Sequence, residues 1–176
     1  MRDKVILVNE ADEQIGIESK LEAHKLGLLH RAFSVFLFAR DQNSNLQVLM
    51  QQRALDKYHC AGLWTNTCCS HPQPEESVID AGLSRLDEEL GIKLPEGVLK
   101  DMGSFIYEAK FDNGLIEHEL DHVLVGFVDL DLKIKINNSE VADYRWQSVL
   151  DLKDNLKDTD FRKYTPWLSP ALRLAI

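Results

Sequence analysis

The chain has 176 residues, of which 44% are hydrophobic and 28% charged, values typical of one globular domain with a buried core. Its net charge of -9 disfavours nucleic acid as a partner, because phosphate backbones require a basic face. No apolar run is long enough to cross a bilayer, and Val5–Val8 ends too soon for the apolar region of a secretory signal. The three cysteines, an odd number, predict no disulfide framework. We therefore expect a cytoplasmic protein with one domain over residues 1–176 and no membrane partner.

Four β-prone segments occupy the first third of the chain. Val5–Val8 and Gln14–Ile17 bracket a polar turn and predict a hairpin. Phe33–Phe38 and Leu46–Gln51 are apolar runs separated by polar residues of loop composition. Arg53 and Lys57 follow the last of these runs, where they indicate either a solvated loop or a pair of cations that contacts phosphate oxygens.

The segment 64–72 reads WTNTCCSHP and places a thiol two residues from an imidazole. In an extended chain, side chains alternate between faces, so Thr67, Cys69 and His71 are expected on one side and Cys68 on the other. This arrangement puts a group that can exchange protons beside a group that can bind a metal.

Residues 77–90 predict an amphipathic helix that begins at the cap Ser77 and ends at Gly91. Apolar residues recur at spacings of four, three and four, as Ile79, Leu83, Leu86 and Leu90. The last turn carries Asp87, Glu88 and Glu89, which oppose the helix dipole. They are interpreted either as a solvated face or as ligands of Mg²⁺ shared with a substrate phosphate. Arg85 is spaced to form an intrahelical ion pair with Glu89.

The second half of the chain predicts another hairpin, because Phe105–Phe111 and Leu115–Val128 flank Asp112-Asn113-Gly114. Glu117 and Glu119 fall on one face of the second strand, and His118 on the other.

The last elements predicted are a short strand and two helices. The strand contains Tyr144-Arg145-Trp146, and Ser148 caps a helix that runs to about Asn155. Thr165 is expected to cap a C-terminal helix with Pro166 at its first position. Many strands with few helices predict an α+β fold, similar to an α/β/α sandwich, with a mixed β-sheet flanked by helices.

Six histidines are scattered along the chain. His24 and His30 are six residues apart, a spacing that suits neither one helix face nor a finger motif. In combination with His71, Glu117 and Glu119 they suit a mixed nitrogen and oxygen site for a divalent transition metal. No neighbouring motif supports a role for the other three, His59, His118 and His122. Tyr107, Trp64 and Trp167 are core residues or rings that face a cation.

These segments occur together in one family: the chain resembles the type I isopentenyl diphosphate isomerases, which are members of the Nudix superfamily. The resemblance runs from about Val5 to Trp167. Its pattern W-x-N-x-x-C-x-H-P selects Cys69 over Cys68. The other matching segments are Arg53-Ala54-Leu55, Glu88-Glu89-Leu90-Gly91, Glu117-His118-Glu119 and Thr165-Pro166-Trp167.

The resemblance also identifies residues 70–92 as a degenerate Nudix box with the pattern G-x5-E-x7-R-E-x-x-E-E-x-G. The matching positions are Glu76, Glu88, Glu89 and Gly91. The departures are Ser70 for Gly, Ser84 for Arg and Arg85 for Glu. Nudix hydrolases use that Arg-Glu pair for the metal that assists water attack, so its loss disfavours hydrolysis. Ser70 also replaces the Gly of many isomerases, which matters if the backbone there has a positive φ.

The resemblance implies a fold of the Nudix type and the reversible 1,3-allylic isomerisation of isopentenyl diphosphate to dimethylallyl diphosphate. It implies two metal sites. The ligands of the first, for Mn²⁺, Mg²⁺ or Zn²⁺, are His24, His30, His71, Glu117 and Glu119. The second holds Mg²⁺ with the substrate diphosphate, through Glu89 and the backbone carbonyl of Cys69. The positions that contact the diphosphate are Lys20, Arg53, Lys57 and Arg85.

The catalytic roles are also implied by the resemblance. Cys69 and Glu119 form the acid/base pair, Tyr107 lies near Glu119, and Trp167 is an aromatic lid that stabilises a carbocation. Glu119 supplies a proton and Cys69 takes one, or the reverse, depending on the direction of the reaction. The alternatives are a Nudix hydrolase of a nucleoside diphosphate derivative and a non-catalytic zinc-binding or scaffold domain. The sequence leaves open whether the protein is a monomer or a homodimer.

Overall fold

A computed structural model describes residues 3–157 and 161–176 of the chain. The elements in chain order are β1 (Lys4–Val8), β2 (Gln14–Ser19), α1 (Lys20–Leu26), β3 (His30–Arg40), β4 (Leu46–Arg53), β5 (Trp64–Thr65), β6 (Cys68–Ser70), α2 (Val78–Leu90), β7 (Lys100–Lys110), β8 (Ile116–Phe127), β9 (Val141–Ser148), α3 (Val149–Lys157), a 3-10 turn (Phe161–Lys163) and α4 (Leu168–Ala175). Among the helices in the described ranges, none combines the length and the apolar character needed to span a membrane.

The sheet is mixed, as predicted, and β3 is its central strand. β3 pairs in parallel with β8 and antiparallel with β1, β4 and β6. The path through the sheet is β2-β1-β3-β4-β5, while β7 extends it beyond β8 and β9 pairs with β4. Strand pairing therefore brings segments from both halves of the chain to the two sides of β3.

Helices cover both faces of the sheet, which confirms the predicted sandwich of helices around a sheet. On one face, Phe33 and Leu37 of β3 pack in the cluster that contains Leu86 of α2. On the other face, Phe36 belongs to the cluster that contains Leu168 of α4, together with residues of α3. Burial of each large apolar side chain stabilises the fold by about 1.5–3 kcal/mol.

β3 and β4 pair over only three residue pairs and then separate. Beyond that point β4 pairs with β5 and β9, whereas β3 pairs with β6. The hydroxyl of Thr67 joins the two strands near the separation, because it accepts a hydrogen bond from the Leu37 N–H (2.8 Å) and donates one to the Leu49 carbonyl (2.7 Å). A cleft lies in this region, lined by residues of β3, β4 and β6.

Several local predictions are confirmed. Ser77 Oγ accepts a hydrogen bond from the Asp80 N–H (3.1 Å), and Gly91 ends α2 in the left-handed region with φ 64°. Gly114, with φ 82°, turns the chain between β7 and β8, which pair antiparallel. The Ser148 hydroxyl lies 3.4 Å from the Asp151 N–H in the first turn of α3.

Other local predictions were wrong. β3 begins at His30 and β7 at Lys100, both earlier than the apolar runs indicated, and helix α1 was not predicted. The cap of α4 is Trp167, without a side-chain hydrogen bond, rather than Thr165. The Thr165 hydroxyl is instead bound to the Thr65 hydroxyl at 2.8 Å, so it is not available to cap the helix.

Candidate active site

The cleft beside β3, β4 and β6 has a volume of about 460 Å³. It is bordered by three groups of side chains. The first is an imidazole cluster, defined here as His24, His30, His71 and Glu119, of which His71 and Glu119 line the cleft. The second is a cationic group, defined as Lys20, Arg53, Lys57 and Arg85. The third is aromatic and includes Tyr107 and Trp167.

The register of the sheet assembles the imidazole cluster. Tyr107 of β7 lies opposite Glu119 of β8, and Glu119 lies opposite His30 of β3. These three side chains therefore form a row across three strands on one face of the sheet. His71 follows β6, whose Ser70 pairs with β3, and so reaches the same row.

The potential ligand atoms of the cluster lie within 4.8 Å of one another, and all four residues are buried. His71 Nε2 is 2.7 Å from Glu119 Oε1, a hydrogen bond, whereas His30 Nε2 is 3.5 Å from the same oxygen. His24 completes the group from helix α1, with its ring centroid 5.0 Å from that of His30. The predicted association of His24, His30 and His71 is thus present in the structure.

Two nitrogen atoms of the cluster, His24 Nε2 and His30 Nε2, are buried without a hydrogen-bond partner in the described part of the chain. His30 Nδ1 donates to the Leu28 carbonyl (2.7 Å), so its Nε2 carries the lone pair. Burial lowers the pKa of His24 to about 2 and that of His71 to about 4, which keeps both imidazoles neutral. Three imidazoles and one carboxylate within ligand distance of one another fit a divalent transition metal.

Glu117 lies beside the imidazole cluster and outside the group of four. Its Oε1 is 2.9 Å from His59 Nε2, and its Oε2 accepts a hydrogen bond from the Tyr107 hydroxyl (3.2 Å). Both carboxylate oxygens are therefore engaged by the protein. The structure brings Glu117 to the site, as the sequence predicted, but with protein partners at each oxygen.

Tyr107 donates a hydrogen bond to Glu119 Oε2. Burial, together with the charges of Glu117 and Glu119, raises the pKa of Tyr107 well above its usual value. Burial alone also raises the pKa of Glu119, but contacts with His30 and His71 outweigh it and lower that pKa well below the usual value. The pair consists of a phenol that keeps its proton and an ionised carboxylate.

Cys69 lines the cleft, while Cys68 lies in the core cluster beneath α2. The alternation predicted for these two residues is confirmed. Thr67 does not share the face of Cys69, because it precedes β6 and binds the backbones of β3 and β4. The Cys69 sulfur is 3.9 Å from an Arg53 nitrogen, and burial raises the pKa of the Cys69 thiol to about 12 although Arg53 lowers it.

Two members of the cationic group, Lys57 and Arg85, are paired with carboxylates. Arg85 contacts Glu89 and, at 2.6 Å, Glu88, so the predicted intrahelical pair is present. Glu140 contacts both Lys57 and Arg85. Asp87 and Glu88 are exposed, which agrees with the solvated face, but Glu89 is only 4% exposed.

Trp167 lines the cleft and is buried. The Arg53 guanidinium carbon lies 5.5 Å from the centroid of its ring, a cation–π contact. Trp64, the other candidate ring, has its face covered by Arg145 at 4.0 Å. Of the two tryptophans, Trp167 is the one that lines this cleft.

Sequence reasoning missed several residues of the cleft, among them Gln51, Tyr58, His59 and Glu140. Gln51 donates to Glu89 Oε2 (3.0 Å), and its position two residues before Arg53 on one strand was a usable signal. Tyr58 and His59 lie in an irregular loop, where no periodicity indicates which way a side chain points. Ser70 lies in β6 and is absent from the positive-φ residues of the described chain, so its replacement of Gly causes no backbone strain.

Comparison with known proteins identifies a domain profile, curated relatives and a solved structure that are similar to this chain. The NUDIX domain profile matches residues 28–168. The isopentenyl-diphosphate Delta-isomerase of Photobacterium profundum is 47% identical over 176 residues, which cover 100% of this chain and 96% of that protein. Isopentenyl-diphosphate Delta-isomerase 2 of Aromatoleum aromaticum is 42% identical over 98% of this chain and 86% of its own length. A crystal structure of a protein from Deinococcus radiodurans superposes with a TM-score of 0.72 at 18% identity and covers 97% of each chain.

Proposed function

The chain belongs to the NUDIX family and, within it, to the isopentenyl-diphosphate Delta-isomerases, and from this premise we propose how its cleft carries out the reaction. The substrate is isopentenyl diphosphate, and the product is dimethylallyl diphosphate. The observation that carries the proposal is that Cys69, Glu119, Tyr107 and Trp167 line one cleft together with the cationic group.

The cationic group binds the diphosphate. Guanidinium groups match phosphate oxygens in pairs, and ammonium groups add point charges. Arg53 already contacts the Cys69 sulfur and the Trp167 ring, so a diphosphate bound by Arg53 places the attached C5 chain next to the reactive groups. The position of the substrate is therefore set by its charged end.

We propose two metal sites. The imidazole cluster fits a divalent metal, since two buried Nε2 atoms have no other described partner. The second site, for Mg²⁺, uses Glu89 and the Cys69 backbone carbonyl together with the diphosphate, because Mg²⁺ prefers few protein oxygens plus substrate phosphate. When bound, the metals supply positive charge that fixes the Glu119 carboxylate and neutralises the diphosphate.

The reaction needs two proton transfers. One group gives a proton to the terminal methylene carbon of isopentenyl diphosphate, and the π electrons form the new C–H bond, which leaves a tertiary carbocation. A second group removes a proton from the neighbouring methylene, and that C–H pair becomes the new double bond. We assign these roles to Cys69 and to Glu119 with its partner Tyr107, since all three line the cleft.

The carbocation must be kept from water, which would capture it. Trp167 is buried at the cleft, and its ring already accepts one cation, the Arg53 guanidinium. We propose that the same ring stabilises the carbocation by a cation–π interaction.

The test is an NMR experiment with the purified protein, isopentenyl diphosphate and Mg²⁺ in D₂O. We expect dimethylallyl diphosphate that carries deuterium and an intact diphosphate. Release of phosphate instead would support the hydrolase, which the altered Nudix box disfavours. Unchanged isopentenyl diphosphate in the presence of metal-loaded protein would support a non-catalytic zinc-binding or scaffold domain.

The assignment of Cys69 is tested by Cys69→Ser, with Cys60→Ser as the matched control. Cys60 is a free cysteine too, but it does not line the cleft. We expect Cys69→Ser to reduce kcat by about 10³-fold and Cys60→Ser to leave it unchanged, because general acid–base groups contribute about 10²–10⁴-fold. Near-normal turnover of Cys69→Ser would overturn the assignment.

The three free thiols suit a reducing compartment, so we also propose a cytoplasmic location.

A further inference from the structure

The loop between β4 and β5 carries two neighbouring side chains, one of which reaches a proposed ligand of the first metal and the other the carboxylate beside that metal site. The two residues are Tyr58 and His59, and both line the cleft. They extend from adjacent backbone positions to different partners, His24 and Glu117.

Tyr58 contacts the outer nitrogen of a proposed ligand. Its hydroxyl oxygen is 3.1 Å from His24 Nδ1, while His24 Nε2 is buried without a described partner. When Nδ1 donates its hydrogen to the tyrosine oxygen, Nε2 keeps the lone pair that a metal requires. The Leu28 carbonyl does the same for His30, at 2.7 Å from Nδ1. The Tyr58 hydroxyl therefore has the same role at His24 Nδ1 as the Leu28 carbonyl has at His30 Nδ1, which is to accept the ring hydrogen.

His59 contacts a carboxylate. Its Nε2 lies 2.9 Å from Glu117 Oε1, and a carboxylate oxygen at this distance favours the tautomer that carries its hydrogen on Nε2. The His59 ring stacks on Phe111 with a centroid distance of 4.9 Å and an interplanar angle of 14°. The residue is 7% exposed, and its ring lies nearly perpendicular to the rings of Tyr58 and Trp167. Such packing fixes the direction in which Glu117 is held.

The loop itself is anchored from two sides. The Asn113 side chain, at the tip of the β7–β8 hairpin, donates to the Tyr58 carbonyl (2.7 Å). Lys20, the first residue of α1, lies 5.4 Å from the centroid of the Tyr58 ring. The anchors come from the same helix and the same hairpin that carry His24 and Glu117, so the loop and the ligands are held as one unit.

We propose that Tyr58 and His59 are positioning residues of the metal site, Tyr58 by fixing His24 with its Nε2 free and Nδ1 protonated, and His59 by holding the Glu117 carboxylate beside the cluster. The inference rests on the proposed metal site and extends it to two residues that do not coordinate the ion. Partners of this kind typically change metal affinity by about 10–100-fold.

The first experiment compares Tyr58→Phe with the matched control Tyr144→Phe. Tyr144 lies on β9, is partly exposed and does not line the cleft. Mn²⁺ and Zn²⁺ are titrated into metal-free protein in competition with a chelator. We expect Tyr58→Phe to weaken binding by about 10-fold and Tyr144→Phe to leave it unchanged.

The second measurement needs no metal. Long-range ¹⁵N NMR of the histidine rings reports which nitrogen carries the hydrogen. In the metal-free wild type we expect His24 to be protonated at Nδ1, and in Tyr58→Phe we expect a mixture of tautomers. A wild-type His24 protonated at Nε2, or a tautomer that does not change in the variant, would overturn the role of Tyr58.

The third experiment addresses His59 through two variants. His59→Phe keeps an aromatic ring but removes the donor, whereas His59→Gln restores an N–H donor. We expect His59→Phe to weaken Mn²⁺ binding by about 10-fold and His59→Gln to recover part of the loss. Equal affinities for wild type and His59→Phe would overturn the role of His59.

The outcomes distinguish a failure of the proposed metal site from a failure of the positioning roles alone. A wild-type protein that binds neither Mn²⁺ nor Zn²⁺ contradicts the metal site and this inference with it. A wild type that binds metal, with unchanged affinity in both Tyr58→Phe and His59→Phe, contradicts the positioning roles alone. A thermal melt of each metal-free variant checks folding, and if His59→Phe does not fold, His59→Gln and Tyr58→Phe decide.

Discussion

The imidazole cluster and the cationic group, called here the imidazole end and the cationic end of the site, differ in the protein contacts that they already make. In the imidazole cluster, burial lowers the pKa of His24 and of His71 and keeps both rings neutral, and the Nε2 atoms of His24 and His30 have no described hydrogen-bond partner. In the cationic group, Lys57 and Arg85 are already paired with carboxylates, among them Glu89 and Glu140. A cation that enters the imidazole cluster meets two nitrogen atoms without a described hydrogen-bond partner, although it competes with the hydrogen bond between His71 and Glu119. An anion that enters the cationic group must replace existing ion pairs at Lys57 and Arg85.

The largest effect is expected from Glu119→Gln at the imidazole end. The amide cannot replace the carboxylate that joins His71 to Tyr107. We expect turnover to fall by about 10³-fold or more, because one proton-transfer group is lost. The measurement is the NMR assay, with Glu108→Gln, an exposed glutamate on β7, as the control. Turnover within a few-fold of wild type would contradict the assignment of Glu119 as a proton-transfer group.

Arg85→Gln tests the cationic end as a structural element. The change leaves Glu89, which is 4% exposed, without its main cationic partner. Removal of one member of a buried pair typically costs about 3–5 kcal/mol, and we expect a loss near the lower limit because Gln51 still donates to Glu89. Urea denaturation measures it, with the exposed Arg40→Gln as control. Equal stability of both variants would mean that the pairs contribute little before substrate binds.

A pH dependence of stability is expected from the imidazole end. Burial lowers the pKa of His71 to about 4 from an unfolded value of 6.5. Above pH 6.5 neither state binds the proton, and histidine contributes nothing. Below that pH the unfolded chain binds a proton that the native state does not, so the free energy of unfolding falls by about 1.4 kcal/mol per pH unit.

The measurement is urea denaturation of metal-free protein at about pH 7 and about pH 5.5. His71→Gln should show a smaller dependence than wild type. The cationic end behaves differently, because burial raises the pKa of Glu140 but Lys57 and Arg85 lower it below 4.5. Its contribution to stability is therefore lost only at more acidic pH. A pH profile that is flat between these two values would contradict the neutral state of the buried imidazoles.

The smallest effect is expected from Glu140→Gln, which releases Lys57 and Arg85 from a competing carboxylate. We expect inorganic diphosphate to bind a few-fold more tightly, less than tenfold, because the pairs of Glu140 are only partly buried and exposed ion pairs contribute about 1 kcal/mol or less. Calorimetric titration with diphosphate measures the change. Weaker binding in Glu140→Gln would show that Glu140 orients the cations rather than competing for them.

Local features of the fold were predictable from the sequence because their causes are local. Ser77 and Gly91 mark the ends of α2 by hydrogen bonding and by a left-handed φ, and neither depends on distant residues. The alternation of side chains in an extended segment separates Cys69 from Cys68 in the same way. The start of α4 was not predictable, since the Thr165 hydroxyl is taken by Thr65, a residue far away in the chain.

The sequence by itself determined most of the elements, the chemical types of the site residues and, through resemblance, the family. Only the tertiary structure decided which of these residues meet. His30 and Glu119 join because β3 and β8 pair in parallel in one register, and a shift by one residue would turn either side chain to the opposite face. His59 reaches Glu117 because an irregular loop packs against a distant hairpin. Side-chain periodicity is a property of neighbouring residues, whereas strand register and loop packing are set by contacts between segments far apart in the chain.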